Sequence, residues 1–551
     1  MREIIKATLL LFAYSLLLCT QLQAQWQYGG IQISGHNFSE DLTAISDGNT
    51  GIFVAWRYYP QQFDPDIYVQ HLDSAGYELW PHEGVPAVIE PHGQYQPRLA
   101  LDDSGGVFVS WTDLGRQGPY PDIYAQRISA SGQRLWGDTG LPVIVRDGDQ
   151  SFPLMVADGA GGAVIYWADS YPPDTVCVVA QRIDRQGDPL FGPYGMRMTT
   201  PRLAGQSISG LLRSSDGNMI SCWFDYRTDG AGPGIYAQKF SALGEILWDS
   251  NGVPVIVNSA SYENLKFGAT SWGGLYCLWV SSGGIYFQWL DSAGQTGYGP
   301  GGIWKVEENA ISDLQFTVDP DSGALAVWLH NYSIPDPDVV YAAYLDTTRT
   351  QLYWFALPVV ARGARSLFSL TQSAPGEFEF GANDGSGDGL KAFKYSFSQG
   401  LLWGDSGVYV SGGGHSGTRA HGVGDMTGGS FFVWQPEGRY VVRANRVYPD
   451  GWVVKVADDD VNKPERLALF AYPNPFNSSV TISYSNLSGG EIKIYDIQGK
   501  SIRTFALEGG EDGKINWDAT DASGKRVSSG VYFARAAAPQ KEKTIKILLL
   551  R

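Results

Sequence analysis

Charge, cysteine and long apolar runs are all scarce in this chain, and each scarcity removes a class of protein. Only 18% of the 551 residues are charged and their balance is −17, so no nucleic-acid partner is expected, because phosphate backbones call for a basic surface. Four cysteines, Cys19, Cys177, Cys222 and Cys277, form no metal-ligand or redox spacing. The last three read as small core residues. The histidines (His36, His71, His82, His92, His330, His415 and His421) share no ligand spacing on one element. No Gly-x-Ser-x-Gly elbow and no phosphate loop is present. Beyond the first residues, no stretch approaches the roughly 20 apolar residues of a membrane helix, so no transmembrane span is expected in the mature chain.

What is abundant is glycine, with 68 residues, and aromatic side chains, at 13%. Together they describe short strands joined by tight turns, since glycine supplies the positive φ that turns demand. At the start, Arg2 and Lys6 precede an apolar run from Ala7 to Leu18 and a polar stretch ending Leu22-Gln23-Ala24. That is the layout of a secretory signal peptide, residues 1–24.

Self-comparison reveals a repeat. A strand-like block ending in tryptophan recurs as GIFVAW (Trp56), GVFVSW (Trp111), GAVIYW (Trp167), NMISCW (Trp223), GLYCLW (Trp279), GALAVW (Trp328) and SFFVW (Trp434). A divergent copy, GEFEFG, closes at Gly381, giving eight copies of this strand. A second block follows each, as in DIYVQHLD from Asp66 and IYAQKFS from Ile235, and a third reads RLWGDTGLPVIV or ILWDSNGVPVIV. Periods of 40 to 60 residues mark propellers and arrays. The eighth unit stops near Trp452 without a proper third block, whereas the mature start, WQYGGIQIS (Trp26 to Ser34), matches that block. The expectation is an all-β chain: an eight-bladed β-propeller over residues 25–456, closed by an N-terminal strand so that no edge is left unpaired.

The charged run ADDDVNKPER, residues 457–466, reads as a linker. Short strands then follow at Val480, Glu491, Ser501, Lys514, Gly530 and Thr544, separated by glycine-containing turns. A small Ig-like β-sandwich over residues 467–551 is expected. The segment Tyr472-Pro473-Asn474-Pro475-Phe476-Asn477, with IYDIQGKSIRTF from Ile494, SSGVYF from Ser528 and the basic end KEKTIKILLLR, resembles the type A C-terminal sorting domain of type IX secretion cargo. It also resembles the Ig-like domain of flagellar hook-capping proteins. The resemblance covers about the last 85 residues and rests on several ordered motifs rather than one. It implies passage through the inner membrane by the signal peptide, folding in the periplasm, and recognition by the type IX machinery. The destination is the outer cell surface or the medium, with Pro473, Asn474, Pro475, Phe476, Asn477, Lys543 and Lys546 as the sorting residues.

Chemistry on such a ring belongs on loops at one face. The loops after the Trp-ending strands carry Arg57, Tyr58, Tyr59, Asp113, Arg116, Tyr171, Asp225, Tyr226 and Arg227, residue types that stack on and hydrogen-bond a sugar or peptide. The alternative for Asp113, Asp169 and Asp225, which all sit two residues after a tryptophan, is a repeated turn cap. A second recurring set, Gln70, Gln126, Gln181, Gln238 and Gln288, reads as inter-blade hydrogen bonding. No cofactor is implied, although the repeated aspartates leave Ca²⁺ open. The expected function is a secreted or surface binding platform for an extracellular glycan or protein. A glycan-active hydrolase with carboxylates at the ring mouth is the alternative, and a pair of unique, inward-facing carboxylates would favour it.

Overall fold

A computed structural model describes residues between Trp26 and Leu549. Outside that description lie residues 1–25, with the signal peptide, the 457–466 linker, Pro473 to Asn477, and several loops including 60–64, 172–174, 228–233, 331–338, 358–365 and 412–416. The described chain is all β, and every named element is a strand. The tryptophan-ending blocks become strands because their apolar residues alternate between two buried faces. Ile52–Tyr58, Gly106–Leu114, Met219–Asp225 and Leu275–Ser281 are buried along nearly their whole length.

Each such strand is second in an antiparallel four-strand order. The first unit runs Ser39–Ser46, Ile52–Tyr58, Asp66–Leu72 and Val85–Pro86, and the second Gly93–Asp102, Gly106–Leu114, Pro121–Ile128 and Leu141–Ile144. Six further units follow this order. The seventh gains a short extra strand, Val408–Tyr409, on Gly389–Ser396. The eighth comprises Gly417–Gly424, Ser430–Pro436 and Arg443–Val447 and takes its fourth strand, Ile31–Gln32, from the other end of the chain. First strands of successive units pack side by side, and Gly417–Gly424 packs against Ser39–Ser46. Hydrophobic clusters lie mainly between units: Phe108 and Trp136 of one unit pack with Ile165 and Trp167 of the next.

One joint recurs. The tryptophan of the third block donates its indole N–H to a backbone carbonyl in the next unit's turn: Trp80 to Ala130 O at 3.0 Å, Trp136 to Arg185 O at 3.3 Å, Trp248 to Ser292 O at 3.0 Å and Trp403 to Pro449 O at 3.2 Å. Trp26 makes the same bond to Ser74 O at 3.0 Å. A basic residue from the third strand reaches the same turn, so Arg185 O also accepts from Arg127 and Ser74 O also accepts from Arg446. The same guanidinium groups pair with Asp102 and Asp425 in their own units. Glycine fits the turn because a Cβ on Gly76, at φ 87°, would lie 2.8 Å from the Trp26 ring. In the fourth-strand segment, a Cβ on Gly30 would sit 2.3 Å from Trp434. Gly84 and Gly252 stand in the same relation to Trp56 and Trp223.

The C-terminal region forms two sheets. One has three strands, Ala468–Tyr472, Val480–Ser485 and Gly513–Trp517; the other runs in the order Ser501–Ala506, Glu491–Asp496, Gly530–Ala538 and Lys541–Leu549. A separate core of Leu469, Val480, Ile482, Ile492, Ile494, Trp517, Ala534 and Ile547 draws on both.

Trp26→Ala should cost about 3–5 kcal/mol, the range for emptying a buried tryptophan site, and match Trp80→Ala at an internal joint. Urea denaturation of both variants checks this; a Trp26→Ala protein as stable as wild type would show that the N-terminal segment is a dispensable attachment.

Candidate functional site

The rim residues divide into two groups. Asp113 and Asp225 are buried, and each carboxylate is occupied by its own unit. Asp225 Oδ2 accepts from the Trp223 indole at 3.1 Å and pairs with Arg227 at 2.6 Å. Asp113 Oδ2 accepts from Trp111 at 3.0 Å and pairs with Arg116 at 2.8 Å. The two guanidinium groups lie flat on a tyrosine of the neighbouring strand, Arg116 on Tyr124 at 4.0 Å and Arg227 on Tyr236 at 3.7 Å. In the third unit Asp169 is taken by Arg146 and Gln150. Asp113 and Asp225 thus clamp an indole and a guanidinium, whereas Asp169 holds a guanidinium and an amide. Asp225 does so with a pKa held below the ordinary value: burial raises it, but hydrogen bonds from Arg227 and Trp223 outweigh that. At Asp113 burial prevails and the pKa is raised. Asp122, paired with it across the strands, is pushed up by burial to about 6.

The recurring glutamines work within a unit, which corrects the expectation of inter-blade bonding. Gln126 Nε2 donates to Gly137 O at 2.7 Å while its Oε1 accepts from Trp136 N at 2.9 Å, and Gln70, Gln181, Gln238 and Gln288 grip the corresponding carbonyl ten or eleven residues on. Each glutamine ties the third strand to the segment that carries its own fourth strand.

The remaining rim residues face outward or toward a cavity. Tyr226 is exposed, and the side chain of Tyr171 lies outside the described residues. Tyr58 packs edge-on against Tyr68 at 5.0 Å. Arg57 lies between the rings of Tyr59 and Tyr95, at 5.2 and 5.1 Å, and pairs with Glu40 and with Asp41 at 3.3 Å. Asp41 leads to a feature that block-by-block reading of the repeats misses. Near its start, each first strand slips register against the second, as at Glu40/Thr43, Tyr95/Arg98 and Ser312/Gln315. Five of these slips hold a non-glycine residue at positive φ: Asp41 (47°), Gln96 (58°), Phe152 (57°), Asn264 (51°) and Asp313 (49°). Such bulges re-aim side chains, and the left-handed conformation is costly for a residue with a Cβ.

Four of these five, Asp41, Gln96, Phe152 and Asp313, meet in one cavity of about 590 Å³, walled also by Arg98 and His421 and by further residues of the first, seventh and eighth units. Burial lowers the Arg98 pKa, with Asp41 acting in the opposite sense. Burial raises Asp313, partly offset by Lys266. His421 lies open on the cavity wall, yet the protein around it, and then Arg98, lower its pKa and favour the neutral imidazole. Phe152 is 59% exposed, and its backbone N–H is held by Gln96 Oε1 and Thr112 Oγ1, each at 3.2 Å. Among the described residues no group of three or more His, Cys, Asp or Glu is placed to hold a metal ion.

Residues 471–550 match the family model described as a secretion system C-terminal sorting domain. The C-terminal sandwich is therefore a sorting domain of the type IX system, and the protein is exported to the outer cell surface or released. Lys543 and Lys546 are exposed on its last strand. Among the described residues no helix is long and apolar enough to cross a membrane. No curated protein matches the chain. Among solved structures it is similar to PorZ, a surface component of the type IX secretion system of Porphyromonas gingivalis, at 13% identity over 95% of this chain and 100% of that one, with a TM-score of 0.27. It is also similar to an α-L-arabinanase of Penicillium chrysogenum, at 12% identity over 54% and 90% of the two chains (TM-score 0.32), and to an α-L-arabinofuranosidase of Fusarium graminearum, at 10% over 68% and 98% (TM-score 0.37). These scores are too low to transfer an activity.

The carboxylates set opposite pH dependences. Asp122 titrates above its unfolded value, so its contribution is complete below about pH 4 and is lost as pH rises through about 6. Asp225 titrates below its unfolded value, so its contribution is present above that value and is lost as pH falls through the folded one. Urea midpoints between pH 4 and 7 should therefore decline less in Asp122→Asn than in wild type. Asp225→Ala, which leaves Arg227 and the Trp223 indole unpaired, should lose about 3 kcal/mol at pH 7; a wild-type midpoint there would refute the clamp.

Proposed function

We propose that the chain is an exported eight-bladed β-propeller, closed by its own N-terminal strand, that acts as a noncatalytic platform for an extracellular glycan or protein. The domain limits that go with this reading are a signal peptide over 1–24, the ring over 25–456, a linker over 457–466 and an Ig-like sorting sandwich over 467–551. Closure is supported by Trp26 and Gly30, which repeat at the chain ends the contacts of the internal joints. In the sorting sandwich, Pro473 to Asn477 with Lys543 and Lys546 are the segment offered to the type IX machinery.

The observation that carries the binding reading is the cavity itself. Its wall is drawn from six units, and the bulge positions that supply it differ from one unit to the next: acid, amide, phenyl. Its volume is in the range of small-ligand sites. Arg57, Tyr58 and Tyr59 stand on the same face, because Arg57 reaches Asp41, and with the exposed Tyr226 they extend the ligand surface onto the rim. Asp113, Arg116, Asp225 and Arg227 support that rim from inside. Tyr171 belongs to the same set of loops.

One observation favours the hydrolase reading. Asp41 and Asp313, at the same bulge position of the first and sixth units, are two carboxylates on one cavity, as a pair of catalytic acids would be, provided they stand about 5 to 10 Å apart across a scissile bond. Against it, Asp41 is held by Arg57 in an ion pair.

Two measurements test the proposal. Fractionation of a type IX-competent host should find the full chain at the surface or in the medium and a version ending at Ala457 in the periplasm; equal export of both would remove the sorting role. A glycan screen of the full chain should find retention without release of reducing ends, lost on Arg57→Ala with Tyr59→Ala. Turnover abolished by Asp313→Asn would establish the hydrolase instead.

A further inference from the structure

Arg98 is the arginine of the cavity wall, and among the described residues no ion pair holds it. Its Nη1 donates to Pro97 O at 2.9 Å. Among the described residues no carboxylate lies within salt-bridge distance of the guanidinium, although Asp41 is near enough to act on it. Of the cavity acids, Asp41 pairs with Arg57, while burial raises the Asp313 pKa against the smaller effects of the Leu367 backbone and Lys266. A guanidinium facing a cavity with unused N–H groups is a receptor for a planar anion, which it grips with two parallel bonds.

The rest of the wall narrows the ligand. Phe152 presents a largely exposed ring from a left-handed backbone position, a conformation held by two hydrogen bonds. An exposed aromatic face of this kind suits a sugar ring or another flat apolar surface. Asp41, Asp313 and Ser366 offer acceptors for hydroxyl groups. Those two carboxylates also repel a ligand of high negative charge, which disfavours phosphate and favours a single carboxylate.

We infer that the cavity takes a carboxylate-bearing saccharide, with Arg98 receiving the carboxylate and Phe152 underlying the sugar ring. The inference rests on the binding reading above and adds the ligand's chemical class.

The test uses the purified full chain with glucuronate and galacturonate oligosaccharides as probes, each beside its methyl ester, so that only the charge changes. Calorimetry should show the acid bound roughly tenfold or more tightly than the ester, as expected for a charge-assisted contact. Arg98→Met should erase that difference, and Arg98→Lys, which keeps the charge but loses the fork, should restore part of it. Phe152→Ala should weaken acid and ester by the same factor. Thermal melts of each variant report folding separately. Equal binding of acid and ester, insensitive to Arg98, would overturn the ligand class and leave the platform standing. Binding of neither by wild type would also overturn it, while the glycan screen judges the platform independently.

Discussion

The packing of one four-stranded unit on the next depends on a carbonyl. In five joints the turn after a third strand presents one backbone oxygen to the preceding unit, which answers with an indole N–H and in two of them with a guanidinium as well. Arg185 O receives Trp136 and Arg127; Ser74 O receives Trp26 and Arg446. A single four-stranded sheet cannot bury both faces by itself, so stability must come from such joints. The bond fixes where the neighbour sits, and the tryptophan ring on the turn glycine excludes water from it. At Ser74 the two donors come from residues 26 and 446, so a joint that is local everywhere else ties the chain's two ends together.

This explains why the tryptophans dominate the sequence and why their spacing was informative. The block ending in tryptophan made the second strands legible, and the third block made the exchange at the ends legible, since WQYGG carries both the joint tryptophan and the glycine that abuts Trp434. The glutamines were harder. Their register was visible, but a strand position alone does not say which carbonyl the amide meets, and it meets one in its own unit. The aspartates after Trp111 and Trp223 were read as ligand groups or turn caps, whereas the indole beside each was the partner.

The cavity was illegible for a different reason. Its residues are aimed by backbone bulges, and Asp41, Gln96, Phe152, Asn264 and Asp313 share a left-handed φ and no side-chain chemistry. A repeat search looks for sameness and passes over such a position. What does recur is the context: Leu42, Pro97, Pro153, Leu265 and Leu314 each follow the bulged residue. An apolar or proline residue after a variable one, early in each first strand, was the available signal.

Repetition and chemistry therefore separate on this scaffold. A group that recurs at one register meets similar neighbours in the units that carry it, and those neighbours satisfy it: Asp113 and Asp225 have their indoles, the five glutamines their carbonyls, Arg127 and Arg446 their turns. A group found once cannot be required by the unit, because the other units do without it. Holding it in a left-handed conformation costs free energy that the joints must offset. Phe152 illustrates the point, since a residue left 59% exposed at a left-handed position adds less to packing than a buried ring would. The places where the repeat fails to repeat, while the backbone still repeats its bulge, are where the wall of the proposed ligand cavity lies.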